Sequence, residues 1–321
     1  MPIVRQLRGA IVEAVHPFSV AVARADHLEH LLGPDLETTF RSAAKPFQLE
    51  CSLEALGHPQ LPDDELAVGA ASHSAEPVHL ALVERVLARF GAPADQLRCG
   101  AHAPVHSPSA EAILRAGGTY TSLHNNCSGK HAFMLAACAA RGWPLDYRPP
   151  DHPLQARIAD RVAALAQHRG EIAVDGCGVP TFGLPLTAIA RAWARVADAM
   201  NDDASPLGRI GRAMARHPEL TSGQGRLDLD VVQNAREPVA VKIGALGLFC
   251  LAFPRRSIGV AVKIHSGSGD ALPAAVAEAL AALVPGAFHE PPSWALRDVR
   301  NVVGRSVGRW DADVEAPALR L

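Results

Sequence analysis

Short apolar, β-branched runs crowd both ends of the chain, and helical periods fill its middle. GAIVEAVH and SVAVARA, residues 9–16 and 19–25, are separated by Pro17 and Phe18 and predict a hairpin. Residues 42–56 carry a helical pattern in which Pro46 is tolerated because it falls in the first turn. Over residues 77–91 apolar side chains recur at 80, 82, 83, 86, 87 and 90, a helical period closed by Gly91. Further helices are expected over 109–116, 130–141, 152–168, 186–201 and 206–217.

VAVKIG, GLFCLAF and IGVAVKI then predict three strands, DALPAAVAEALAALV a helix, and VRNVVGRSVG a last strand. This order implies an α+β fold, with an antiparallel sheet formed by both chain ends and a helical middle region. With no repeat or low-complexity linker, residues 1–321 are expected to form one catalytic unit. A helical subregion over 77–220 is inserted between the sheet segments, and the Pro-rich YRPPDHP, residues 147–153, is the candidate hinge.

Composition narrows the classes. The chain has 321 residues, 48% hydrophobic and 20% charged, enough to bury a full core and too apolar for disorder. A formal net charge of −2 without a basic run argues against nucleic acid or anionic membrane as partner. No apolar stretch has the length of a signal peptide or a membrane span, so the expected location is cytoplasmic. Six cysteines without framework spacing then read as free thiols or metal ligands.

Four stretches hold candidate chemistry. FRSAAKPFQ places Ser42 and Lys45 about one helical turn apart. A neutral lysine can take a serine proton, provided burial or a nearby cation lowers its pKa. Arg41 could supply that cation, or hold a substrate carboxylate. An incidental Ser and Lys at a helix start is the competing reading. In ASHSAEPVH, Ser72, His73, Ser74, Glu76 and His79 crowd together; Ser74 is a second cleft hydroxyl, or else Ser74 or Glu76 caps the next helix. Lys263 lies in an apolar strand, pointing either to solvent or into a site. HNNCSGKHAFML gathers two asparagines, a thiol, a lysine and a histidine at a helix start, and DGCGVP adds a second thiol. Cys127, Cys177 and a nitrogen ligand could hold zinc; two ordinary buried cysteines is the alternative.

The stretches RGAIVEAVH, RSAAKPFQ, ASHSAEPVH, LRCGAHAP, HNNCSGKHA, DHPLQ, VDGCGVPTF and GVAVKI together resemble the rhizobial-type (thermolabile) L-asparaginase II family along nearly the whole chain. The resemblance implies hydrolysis of L-asparagine to L-aspartate and ammonia. It also implies a fold similar to serine β-lactamases and glutaminases, in a homodimer. Two Ser–Lys tandems carry over, Ser42 with Lys45 and Ser74 with Lys263. A zinc site falls on Cys127, Lys130 and Cys177, and substrate-binding groups fall on Arg41, Asn126, His131 and Asp175.

Two positions depart from the family. Lys263 is followed by Ile264, His265 and Ser266 where an acidic residue is expected, and Leu246 stands where a Glu is expected. Ser42 is the preferred nucleophile, having a base on its own helix turn. The competing functions are a penicillin-recognising serine acyltransferase and a non-catalytic zinc- or amino-acid-binding homologue.

Overall fold

The computed structural model describes residues 1–289, 294–295 and 298–315. The chain divides into two units, one of residues 1–43, 184–198 and 230–321, the other of residues 44–183 and 199–229.

The first unit is built on an antiparallel sheet of strands from both chain ends. These are β1 (Ile3–Arg8), β2 (Ile11–Ala23) and β3 (Leu28–Leu32), then, after a short β4 (Glu37–Thr39), strands from the far end of the chain. Those are β7 (Ala240–Ile243), β8 (Leu248–Phe253), β9 (Ile258–Ile264), β10 (Asp298–Arg300) and β11 (Ser306–Asp313). The sheet order is β10-β11-β1-β2-β9-β8-β7, with β3 also on β2; among the described residues it has eight strands. Every residue of β8 and β9 is buried, so both faces of the sheet centre are covered and the strands read as continuous apolar runs. Helix α7 (Leu186–Ala199) lays Ala190, Trp193 and Ala194 against Gly259 of β9, and α11 (Leu272–Leu283) packs on β9 and β11.

Two expectations for the chain ends need correction. Residues 9–25 are not a hairpin: β2 runs unbroken through Pro17, and the turn lies at residues 9–10, between β1 and β2. Pro17 is tolerated because β2 changes partner there. Pro17 still faces Ile3 of β1, Phe18 begins the pairing with β9, and the ladder uses only the Pro17 carbonyl, which accepts from His265 N–H at 2.9 Å. VRNVVGRSVG is likewise two strands, β10 and β11. They turn at residues 301–305, where Gly304 N–H bonds Asn301 O at 2.9 Å.

The second unit is mainly helical, with α1 (Lys45–Ala55), α2 (Asp63–Gly69), α3 (Pro77–Arg89), α4 (Ser107–Arg115), α5 (Ser128–Arg141) and α6 (Pro153–Ala166). β5 (Ile172–Val174) follows, pairing antiparallel with β6 (Pro180–Pro185), then α8 (Pro206–Arg216), α9 (Pro218–Thr221) and the start of α10 (Leu227–Gln233). In α1 all residues but Glu54 are buried, and in α5 all but the last three. Helices covered on every side lie at the middle of a unit, and α1 and α5 pack on each other there, flanked by α6, α3 and α2. That puts the N-terminal turns of α1 and α5 in the interior.

A buried amine and thiol cluster as candidate active site

Lys45 opens α1, fully buried, with Pro46 beside it supplying the preset first turn. Its Nζ donates to Ala71 O at 2.5 Å, to Ser72 Oγ at 2.9 Å and, weakly, to Asn126 O at 3.5 Å. Burial lowers its pKa and nearby Lys130 pushes the same way, against the thiols of Cys127 and Cys177. A lysine inclined to neutrality is what a general base requires.

The segment that receives Lys45 is buried from Ser72 to Ala75. Ala75 holds a left-handed backbone, φ +57°, directly after Ser74. His73 stabilises this bend: its Nδ1 accepts Ala75 N–H at 3.1 Å, so its Nε2 carries the proton and donates to Ser128 Oγ at 2.9 Å. Burial holds His73 neutral, well below its ordinary pKa. Ser74 Oγ is 1% exposed and, among the described residues, has no hydrogen-bond partner. A Cβ placed on Gly223 would lie 2.4 Å from that oxygen, so the Ser222–Gly225 loop passes directly over it. Capping of α3 falls to Glu76, in a reciprocal box with His79, and not to Ser74.

The start of α5 is fixed by Asn125, whose Oδ1 accepts Cys127 N–H at 2.9 Å while Nδ2 donates to Cys99 O at 2.8 Å. Gly129 lets the helix reach the interior, since a Cβ there would sit 2.1 Å from Val68 O of α2. Lys130, one turn beyond Cys127, donates to Cys177 Sγ at 3.2 Å. The two thiols share a hydrogen bond, which together with Lys45 and Lys130 pulls Cys127 well below the ordinary thiol pKa; Cys177 moves up, through that bond and burial. Burial opposes the charge on Lys130, but Cys177, Cys127 and Asp175 outweigh it and its pKa is raised. Cys127 is thus biased towards the thiolate and Lys130 towards the ammonium.

His131 is fully buried. Tyr147 OH accepts Arg98 N–H at 2.9 Å, so it donates to His131 Nδ1 at 2.9 Å. That leaves His131 Nε2 as a buried donor without a partner among the described residues. Asp175 stands at the turn before Cys177, its Oδ1 accepting Gly176 N–H at 2.8 Å. Asn126 contributes its carbonyl to Lys45 and to His73 N–H, and its Oδ1 lies 3.4 Å from Cys127 Sγ.

Lys45, Ser74, Asn126, Cys127, Lys130, His131, Asp175 and Cys177 thus all belong to the second unit, whereas Arg41, Ser42 and Lys263 belong to the first. There, Arg41 has a left-handed backbone, φ +47°, and Ser42 is half-buried. Lys263 is 8% exposed and does not point to solvent: its Nζ donates to Leu246 O at 2.7 Å and Ile264 O at 2.6 Å, and burial lowers its pKa. Leu246, at the position where an acid was expected, has φ +55° and is exposed. His265 faces Ser19 Oγ at 2.9 Å.

Sequence reasoning gave no role to Ser72, His73, Asn125 or Tyr147. Asn125 had a visible signal, a short polar side chain two residues before a helix cap. Ser72 stood out only as part of the polar ASHSAEPVH stretch and Tyr147 not at all, since their partners are 27 and 16 residues away.

Against known proteins, the sequence model of the L-asparaginase II family matches residues 4–312. The chain belongs to the L-asparaginase II family. A search of curated proteins found no significant match. Among solved structures it is similar to one described as Mglu in its native form, at 14% identity and TM-score 0.46, over 89% of this chain and 69% of that one. It is also similar to a putative beta-lactamase from Bacteroides dorei, at 13% identity and TM-score 0.43, over 79% and 88%. These likenesses are distant, and the assignment rests on the family match, which points to an amidohydrolase. Among the described residues no helix is long and apolar enough to cross a membrane.

Proposed function

We propose that this member of the family is an L-asparaginase, converting L-asparagine and water to L-aspartate and ammonia by Ser–Lys nucleophilic catalysis on a β-lactamase-like fold. The observation that carries the reading is Lys45, a fully buried amine with a lowered pKa, bonded to a serine hydroxyl at the base of a family motif. Such a group has little structural purpose, because an apolar side chain would fill the same space at less desolvation cost.

In the proposed reaction a serine oxygen adds to the side-chain amide carbon as its proton passes to a neutral lysine. The tetrahedral adduct expels ammonia, which takes that proton, and leaves a β-aspartyl ester. Water then adds to the ester, and the serine is restored as aspartate departs. We assign the attack to Ser42, the more accessible of the two serines, with Ser74 and Lys263 as the second tandem. Arg41, Asn126, His131 and Asp175 are proposed to bind substrate; the unpartnered His131 Nε2–H suits a carboxylate or carbonyl oxygen. The homodimer and the cytoplasmic location implied by the resemblance belong to this proposal.

Alanine at Ser42 is expected to lower ammonia release by about 10³-fold or more, and alanine at Ser74 by less. Full activity in the Ser42 variant would move the nucleophile to Ser74. A wild-type protein that binds asparagine but releases no ammonia would be a non-catalytic homologue.

The donor set fits zinc. Two thiols, one with its pKa pulled down, and a lysine nitrogen are soft and borderline ligands, although Lys130 must give up its proton to bind. Among the described residues no group of three or more His, Cys, Asp or Glu offers an alternative site. Cys127, Lys130 and Cys177 would hold the ion, which would supply a fixed positive charge to orient substrate. The expected content is about one zinc per chain after purification without chelators, lost in Cys177→Ser. Stripping the metal should weaken KM and leave kcat largely intact; a collapse of kcat alone would give it a direct part in the chemistry.

A further inference from the structure

Three arginines of the second unit gather at a cavity that shares no residue with the thiol–amine cluster. They stand on α8 at positions 209, 212 and 216, spacings of three and four that put them on one helix face. The cavity measures about 540 Å³, the size of a small-molecule site, and His58, Asp63 and Asp203 complete its charged lining. Leu53 of α1 and Leu66 of α2 contribute apolar wall.

The three guanidiniums are unequally occupied. Arg212 is largely covered and donates to Met200 O at 2.7 Å and Asp202 O at 3.0 Å, which fixes it as part of the wall. Asp203 lies 3.7 Å from it and is fully exposed, so that pair contributes little. Arg216 donates to Asp63 Oδ2 at 2.8 Å. Arg209 donates to Leu61 O at 3.1 Å and, among the described residues, meets no carboxylate. Three positive charges thus face one well-placed carboxylate. The arginines of α3 are matched differently: Arg85 and Arg89 face Asp64 and Glu65, two against two.

We propose that this cavity binds an organic phosphate, with Arg209 and Arg216 holding its phosphate oxygens. A guanidinium fork matches two oxygens of a phosphate, and the dianion brings more charge than Asp63 already supplies. The space exceeds a bare phosphate, and Leu53 and Leu66 offer apolar surface to the rest of the ligand. Occupancy ties α8 to the residues that lead into α2, so the ligand stabilises the second unit by mass action. The site uses neither the serines nor the thiols and stands apart from the asparaginase reading.

The test is calorimetric titration of the full chain with adenosine 5′-monophosphate and with inorganic phosphate, each against potassium chloride at matched ionic strength. The nucleotide should bind with a Kd below about 1 mM and raise the thermal midpoint as it saturates, with inorganic phosphate weaker. Arg209→Gln and Arg216→Gln should each weaken binding by about tenfold or more. Asp63→Asn removes the anion that competes for Arg216 and should tighten binding, a gain that a damaged fold would not give. Arg115→Gln, an exposed arginine of α4 outside the lining, should leave affinity unchanged. Binding of neither probe, unchanged affinity in the α8 variants, or weaker binding in Asp63→Asn would overturn the site. An equal loss in Arg115→Gln would reduce it to general charge attraction and overturn it as well. Inorganic phosphate binding as tightly as the nucleotide would overturn the assignment to an organic ligand.

Discussion

Replacing Lys45 with methionine should reduce ammonia release from asparagine by about 10² to 10⁴-fold, the range expected when a general base is removed. Methionine fills nearly the same volume and brings no desolvation cost to a fully buried position. Against that gain, Ala71 O and Ser72 Oγ lose their donor, at about 1–3 kcal/mol for a buried acceptor left unmatched. The two terms are of similar size, so the thermal midpoint should stay within several degrees of wild type while activity collapses. Steady-state kinetics beside a melting curve check both halves. Activity within tenfold of wild type would remove Lys45 from the chemistry and leave Lys263 as the base to examine. A midpoint far below wild type would make Lys45 a structural residue first.

This expectation depends on a distinction the sequence could carry only in part. That Lys45 sits at a helix start beside a proline was legible, because Pro46 is compatible with the first turn of a helix and little else. Its burial was not, since a lone lysine before an apolar run is usually solvated. The hydroxyl at its amine belongs to Ser72, on a segment without helix or strand.

The strands show the same division. IGVAVKI matches β9 residue for residue, because a continuous apolar run bounded by turns has little alternative in a sheet buried on both faces. The same burial defeated the alternative that Lys263 alternates out to solvent: every position of β9 is buried. Pro17 misled for a different reason. Proline usually interrupts a ladder, but β2 changes partners at that residue, a tertiary fact that leaves no local trace. The motif NNCSGKH gave the expectation of a binding role at the head of α5. The convergence of Cys127 and Lys130 on Cys177 depends on a turn 47 residues beyond Lys130.

That convergence rests on the residue inside the motif with no side chain, and Gly129→Ala should expose the dependence. Two effects oppose each other. Alanine is favoured over glycine within a helix by about 1 kcal/mol, and Gly129 is the second residue of α5, so an exposed position would gain stability. Here the new Cβ would lie 2.1 Å from Val68 O, well inside van der Waals contact, and the obstacle is α2 main chain and not a flexible side chain that can swing away. Overpacking against a fixed neighbour costs about 1–3 kcal/mol, sometimes more, and the clash should win. The expected result is a thermal midpoint lower by several degrees, at about 2–4 °C per kcal/mol for a unit of this size. Relief requires the first turn of α5 to back away from α2, carrying Cys127 and Lys130 with it. Zinc content and ammonia release should therefore fall together, and further than the stability loss alone would bring. A variant as stable as wild type with its zinc intact would mean that α5 does not lie this close to α2, and the thiol–amine cluster would need a different support.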